Sequence, residues 1–159
     1  MLFLIIFLIA LAVFAAVINI NALRIKTPDL NAEKKVSSIE VDTELACENL
    51  SKMIRCKTVS NKDESKIDQS EFQKFRDLLK ELYPAVYEKS EKEDIAGGLL
   101  FRIRGKSSSS PSVLMAHFDV VPVDAEKWSA DPFGGEIKDG FLWGRGTLDT
   151  KCSLFGIME

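Results

Sequence analysis

The run from Leu2 to Ile18 contains only apolar residues and no charge. No soluble packing arrangement suits it, because a core helix would show polar residues recurring at a helical period and this run shows none. It approaches the ~20 residues that span a bilayer as a helix. A signal peptide would carry a basic n-region, an apolar core of ~7–15 residues and a small-residue cleavage site. Here no basic residue precedes the run, and Ala15 and Ala16 lie inside it. The reading is an uncleaved single-pass anchor, with secretion after cleavage as the alternative. Arg24, Lys26, Lys34 and Lys35 all follow the run. The positive-inside rule therefore favours a cytoplasmic downstream domain, though weakly, since large domains translocate despite a few charges.

The sequence divides into residues 1–20 as anchor or signal segment, 21–38 as a polar linker, and 39–159 as a folded domain. Ser37 followed by Glu40 has the form of a capping box, and Val41, Leu45, Ala46, Leu50, Met53 and Ile54 then share a helical face. "SNKDESK" is a charged loop. Asp68 and Glu71 open a second helix, whose apolar stripe is Phe72, Phe75, Leu78, Leu79 and Leu82, and which closes before Pro84. "AVYEKSEK" and "GGLLFRIRG" lean towards strands, and "KSSSSPS" is a polar turn. "VLMAH", apolar on both sides, fits a central strand covered on both faces. Strands interleaved with helices in this order predict an α/β layer architecture. The closing "TKCSLFGIME" begins a helix that reaches Glu159 with no glycine or proline stop, so the sequence reads as the N-terminal part of a longer protein.

Composition excludes some functions. The net charge of −3 argues against nucleic acid as a partner, which requires a basic patch. Cys47, Cys56 and Cys152 are odd in number and lack C-x-x-C spacing, which excludes a zinc ribbon and disfavours a disulfide framework.

The chemistry concentrates in two stretches. "SVLMAHFDVVPV" (Ser112 to Val123) holds the single histidine, His117, with Asp119 two residues on. In α/β sheets ligands bind beyond the carboxyl ends of strands, which is where this pair falls. A neutral imidazole ligates zinc, and a neighbouring carboxylate can fix its tautomer. An ordinary hydrogen-bonded histidine fits the same residues. "DGFLWGRGTLDTK" (Asp139 to Lys151) contains a brief strand, a glycine-flanked turn and Asp149 just ahead of a helix. Asp149 could cap that helix, or its two oxygens could bridge two metal ions.

Together, "LMAHFDVVPV", Trp128, "DPFGGEIKDG" and "LWGRGTLDTK" resemble the co-catalytic zinc peptidase family of carboxypeptidase S, aminoacylases, glutamate carboxypeptidase and acetylornithine deacetylase. The carboxypeptidase S branch is the nearest, and "LSKMIRCKTVS" and "EFQKFRDLLKELYP" resemble its opening helices. The resemblance runs from Val41 to Glu159. It implies the N-terminal part of a three-layer α/β catalytic domain that hydrolyses an amide bond in peptides or N-acyl amino acids. It further implies two zinc ions, with His117 ligating one, Asp149 bridging both, and Asp119 as the catalytic-site aspartate that holds His117. A cis peptide after Asp149 is also implied. Trp128, Pro132, Phe133, Gly144 and Gly146 would serve packing and turns. The general-base glutamate, the other ligands and a lid domain able to mediate a homodimer would lie beyond Glu159, leaving these residues inactive alone. A membrane-anchored binding or scaffold relative without catalysis is the alternative. A hydrolase using Ser112 or Cys152 as nucleophile is disfavoured, since neither has a free histidine to serve it.

Overall fold

The computed structural model describes residues 1–25, 40–107 and 109–159. The capping residue Ser37, most of the linker and Ser108 of the polar turn lie outside them. Two units are distinct, Met1–Ile39 and Glu40–Glu159.

The first unit contains helix α1 (Leu2–Arg24). It is apolar enough and, at 23 residues, long enough to cross a membrane, and none of it is buried. A signal sequence at the N-terminus has the same properties. The helix continues through Asn21 to Arg24, the first residues of the expected linker.

The second unit mixes helices and short strands. Helix α2 (Thr43–Ile54) begins after Asp42, whose carboxylate accepts the Leu45 N–H at 3.0 Å. The cap is therefore Asp42, and Val41 and Leu45 are exposed while Ala46, Met53 and Ile54 are buried. Helix α3 (Gln69–Leu82) starts where its sequence signal placed it, with Asp68 accepting the Ser70 N–H at 3.0 Å. Phe75 and Leu79 of its stripe are buried, and the other members are half-buried.

Two expectations fail in this unit. Ala85 to Lys89 lean towards a strand in sequence but belong to a short helix, α4 (Pro84–Lys89). Pro84 at its first position has φ already fixed for a helix and lacks only an N–H that would be unpaired there anyway. Strands β1 (Glu91–Ile95) and β2 (Gly98–Arg102) then form an antiparallel hairpin. "VLMAH" forms no ladder, and Val113, Leu114 and Met115 are 73%, 71% and 83% exposed. A strand needs a neighbour to pair its peptide groups. Among the described residues the only other ladder is β3 (Glu136–Lys138) with β4 (Phe141–Trp143), also a two-stranded antiparallel sheet. The expected layered α/β sheet is thus not assembled from these residues.

What does form is a small helical core. Met53, Cys56, Phe75, Leu79, Tyr83 and Leu154 cluster together, the last from α5 (Cys152–Met158). Phe118 stacks on Phe75 with ring centroids 4.9 Å apart, and Phe72 meets Phe118 edge-on at 6.0 Å. Burial pushes the Cys56 thiol up. Burial, with the Glu159 carboxylate alongside, does the same to the Tyr83 phenol. Glu159 itself is tied to Tyr83 (3.0 Å) and Asn49 (3.3 Å), a structural link among helices.

Core and surface apolar residues should respond differently to truncation. Phe75→Ala is expected to lower stability by about 3–5 kcal/mol in urea denaturation. Val113→Ala should change it by no more than ~0.5 kcal/mol.

Candidate metal centre

Residues 58–60 fix the first half of the site. They run parallel to residues 118–120, joined by the Val120 N–H to the Thr58 carbonyl (2.8 Å) and the Ser60 N–H to the Val120 carbonyl (2.9 Å). The fully buried Thr58 hydroxyl donates to the Phe118 carbonyl. With Phe118 also stacked in the core, His117 and Asp119 on either side of it are held at the surface.

The second half is carried by a wide turn, Thr147–Lys151, which follows β4 and leads into α5. The Lys151 N–H donates to the Gly146 carbonyl at 2.9 Å. Asp149 (φ −122°, ψ 93°) and Thr150 (φ −134°, ψ 29°) both leave helical geometry, and the peptide between them is cis. The two glycines ahead of the turn are required sterically. A Cβ on Gly144 would lie 2.3 Å from Ile54 Cγ2, and one on Gly146 would lie 2.6 Å from Val120 Cγ1. Nearby, the Arg145 guanidinium stacks over Trp128 at 5.2 Å, while the Arg145 backbone N–H donates to the Pro132 carbonyl at 2.7 Å.

The two halves meet at His117. Its Nε2 is 3.1 Å from Asp149 Oδ1. Its Nδ1 faces the Asp119 carbonyl oxygen at 3.0 Å and Asp119 Oδ1 at 3.2 Å. The Thr150 hydroxyl accepts from the His117 N–H and donates to the His117 carbonyl, each at 3.1 Å. All three residues singled out in the sequence are thus brought together, in a crevice of about 430 Å³ that Trp128, Trp143 and Arg145 also line. Asp149 does not cap α5, whose N-terminus has no side-chain cap. Cys152 donates to the Leu148 carbonyl at 3.3 Å rather than meeting the imidazole. The sequence reading gave Thr150 no role, since a hydroxyl bracketing a peptide group from 33 residues away leaves no local pattern.

Does this arrangement suit a metal? Both ring nitrogens face acidic-residue oxygens, so the protonated ring donates from each; a metal would replace the Nε2 proton while Nδ1 keeps its proton on the two Asp119 oxygens. Two corners of a tetrahedral zinc site with bonds of ~2.0–2.1 Å lie ~3.3 Å apart, close to the nitrogen–oxygen separation here. The Asp149 side chain is 85% exposed, so its second oxygen is open. The donors fit zinc as part of a site. Among the described residues no group of three ligating side chains converges.

Comparison with known proteins meets this geometry at the same residues. The profile of "Peptidase family M20/M25/M40" matches residues 113–159, which include His117, Asp119 and Asp149. That stretch of the chain is similar to peptidase family M20/M25/M40. Similarity to individual known proteins extends beyond the matched span. An N-fatty-acyl-amino acid synthase/hydrolase of Xenopus tropicalis is 33% identical over 96% of this chain and 31% of its own length. A probable carboxypeptidase S-like protein of Dictyostelium discoideum is 39% identical over 74% of this chain and 24% of its own length. The chain therefore spans about a third or less of the relatives it matches, and those relatives are hydrolases by name.

The charge on His117 gives a test of the geometry. Partial burial opposes the imidazolium, but the Asp119 carbonyl and the Asp149 and Asp119 carboxylates outweigh it, so the pKa lies above the ordinary 6.5. A pKa raised by folding makes the protonated form the stabilising one. That contribution is complete below about pH 6.5 and lost as pH rises through the folded value. In metal-free protein, the urea-midpoint gap between wild type and His117→Ala should be wider at mildly acidic pH than at alkaline pH.

Proposed function

We propose that these residues supply the first part of a two-zinc amidohydrolase site acting on peptides or N-acyl amino acids, with the remaining ligands and the general base contributed by residues outside these 159. The observation that carries this reading is the single histidine held between two carboxylates, one at each ring nitrogen. His117 would bind one zinc through Nε2, and Asp149 would offer its two oxygens to both ions. Zinc bound there supplies Lewis-acid polarisation of an amide carbonyl and activation of a water. Asp119 holds the Nδ1 proton, which fixes the tautomer and raises the ligand's basicity. The names of the relatives support an acyl–nitrogen bond beside a free carboxylate as the substrate class.

In the complete protein, His117→Ala is expected to lose bound zinc and abolish hydrolysis of N-acyl amino acids and dipeptides. Asp119→Asn should keep most of the metal and lower turnover ~10–100-fold, the usual effect of removing a ligand's supporting partner. Metal analysis beside steady-state kinetics decides the matter. Wild-type turnover with unaltered metal in His117→Ala rejects the assignment.

We also infer that α1 is retained as a single-pass anchor, with residues 21–38 as tether and the domain beginning near residue 39. Each Leu, Ile, Phe or Val at the centre of a membrane helix contributes about −0.3 to −0.6 kcal/mol, and no charge interrupts Leu2 to Ile18. Carbonate washing should leave the protein in the membrane pellet, and N-terminal sequencing should read residues before Ala16. A soluble product starting near Ala16 or Asn21 identifies a signal peptide instead.

A further inference from the structure

Among the described residues the Asp149 carboxylate has one polar partner, His117 Nε2, and it is mostly in solvent. Its position is therefore set by its backbone, and that backbone does not follow the helix after it. The restraint must come from the residues beside it. Thr150 ties to the peptide groups of His117, and Lys151 goes the other way, into the core.

Lys151 is fully buried. Its Nζ donates to the Met53 carbonyl at 2.9 Å and to the Cys56 carbonyl at 2.8 Å, and lies 5.1 Å from the centre of the Phe75 ring. Met53 is in the last turn of α2 and Cys56 just beyond it; each carbonyl also accepts one backbone N–H, from Cys56 (3.3 Å) and Thr58 (3.0 Å), and the ammonium takes a second site on each, at a helix end that favours a cation. No carboxylate pairs with the ammonium among the described residues. Burying such a charge is expensive, and an apolar side chain of similar volume in such a place is often neutral or stabilising.

We propose that Lys151 is a positioning residue whose buried ammonium fixes the Asp149 backbone to the end of α2 and so sets the Asp149 carboxylate against His117 for metal binding. This rests on the metal-centre reading above. A methylene stem ending in two directed hydrogen bonds has a defined reach, so it locks the register of the turn relative to α2. An apolar residue would fill the same space and leave the register free to slide. Position, rather than stability, is what the charge contributes.

The test is a double-mutant cycle on zinc affinity in the complete protein, measured by competition with a chromophoric chelator, with unfolding midpoints recorded for every variant. Lys151→Met should weaken zinc binding ~10–100-fold. Asp149→Asn should weaken it too, and the double variant should bind within about two-fold of Asp149→Asn alone, since coupled residues do not add. Leu79→Ala, which opens the same core away from the turn, should lower the midpoint but leave zinc affinity within about two-fold. Unchanged affinity in Lys151→Met, an equal loss in Leu79→Ala, or full additivity with Asp149→Asn overturns the positioning role while leaving the metal centre standing. Unchanged affinity in Asp149→Asn overturns both. Where Lys151→Met does not fold, Lys151→Gln, which keeps one donor, decides by the same cycle: a smaller, non-additive loss supports the role, and no loss overturns it.

Discussion

The approach of His117 to Asp149 depends on the carboxyl end of α2, whose carbonyl groups at Met53 and Cys56 receive two hydrogen bonds from one buried ammonium. The same helix end supplies Met53 and Cys56 to the core under Phe75, and Ile54 to the surface that Gly144 approaches. Two residues beyond Cys56, Thr58 and the backbone around it hold the Phe118–Val120 segment in parallel pairing. A single turn of chain thus anchors both halves of the site. Neither half is held by a sheet, although a sheet is the expected scaffold for ligands at strand ends.

The chemistry of the crevice follows from its charges. One imidazole is placed among three oxygens belonging to two acidic residues, in a position still open to solvent. That arrangement orients a nitrogen ligand and leaves carboxylate oxygens free, which is what a hard or borderline cation requires. Three or more ligands from the described residues do not converge there, and the chain spans about a third or less of its relatives. The side chains of Val113 to Met115 are exposed, although an apolar segment of this kind gains stability when neighbouring strands cover it.

Much was legible in the sequence because it is encoded locally. Asp68 capping α3, the stripe through Phe75 and Leu79, and the strand at Phe141 to Trp143 depend on neighbours a few residues away. The apolar run at Leu2 to Ile18 likewise forms a helix through its own hydrogen bonds. His117, Asp119 and Asp149 were recognisable as a group from their two motifs, and residues 113–159 carry the family's profile. Where local signals competed, the sequence misled. Ala85 to Lys89 have strand-leaning side chains, but Pro84 fixes the first backbone angle of a helix. Asp42, nearer to the apolar stripe than Ser37, takes the cap of α2.

The sequence by itself determined which residue types could bind a metal and which segments are apolar, because both are properties of side chains in short windows. Tertiary structure decided which of them meet. Only folding places Asp149 Oδ1 3.1 Å from a histidine 32 residues earlier, with a threonine hydroxyl bracketing the peptide groups of that histidine. Only folding turns the last lysine of a surface-looking motif into a buried one, with burial pushing its pKa down to about 8. Likewise, whether "VLMAH" is a strand is not a property of those residues. A strand exists through hydrogen bonds to another segment, and no described segment provides them.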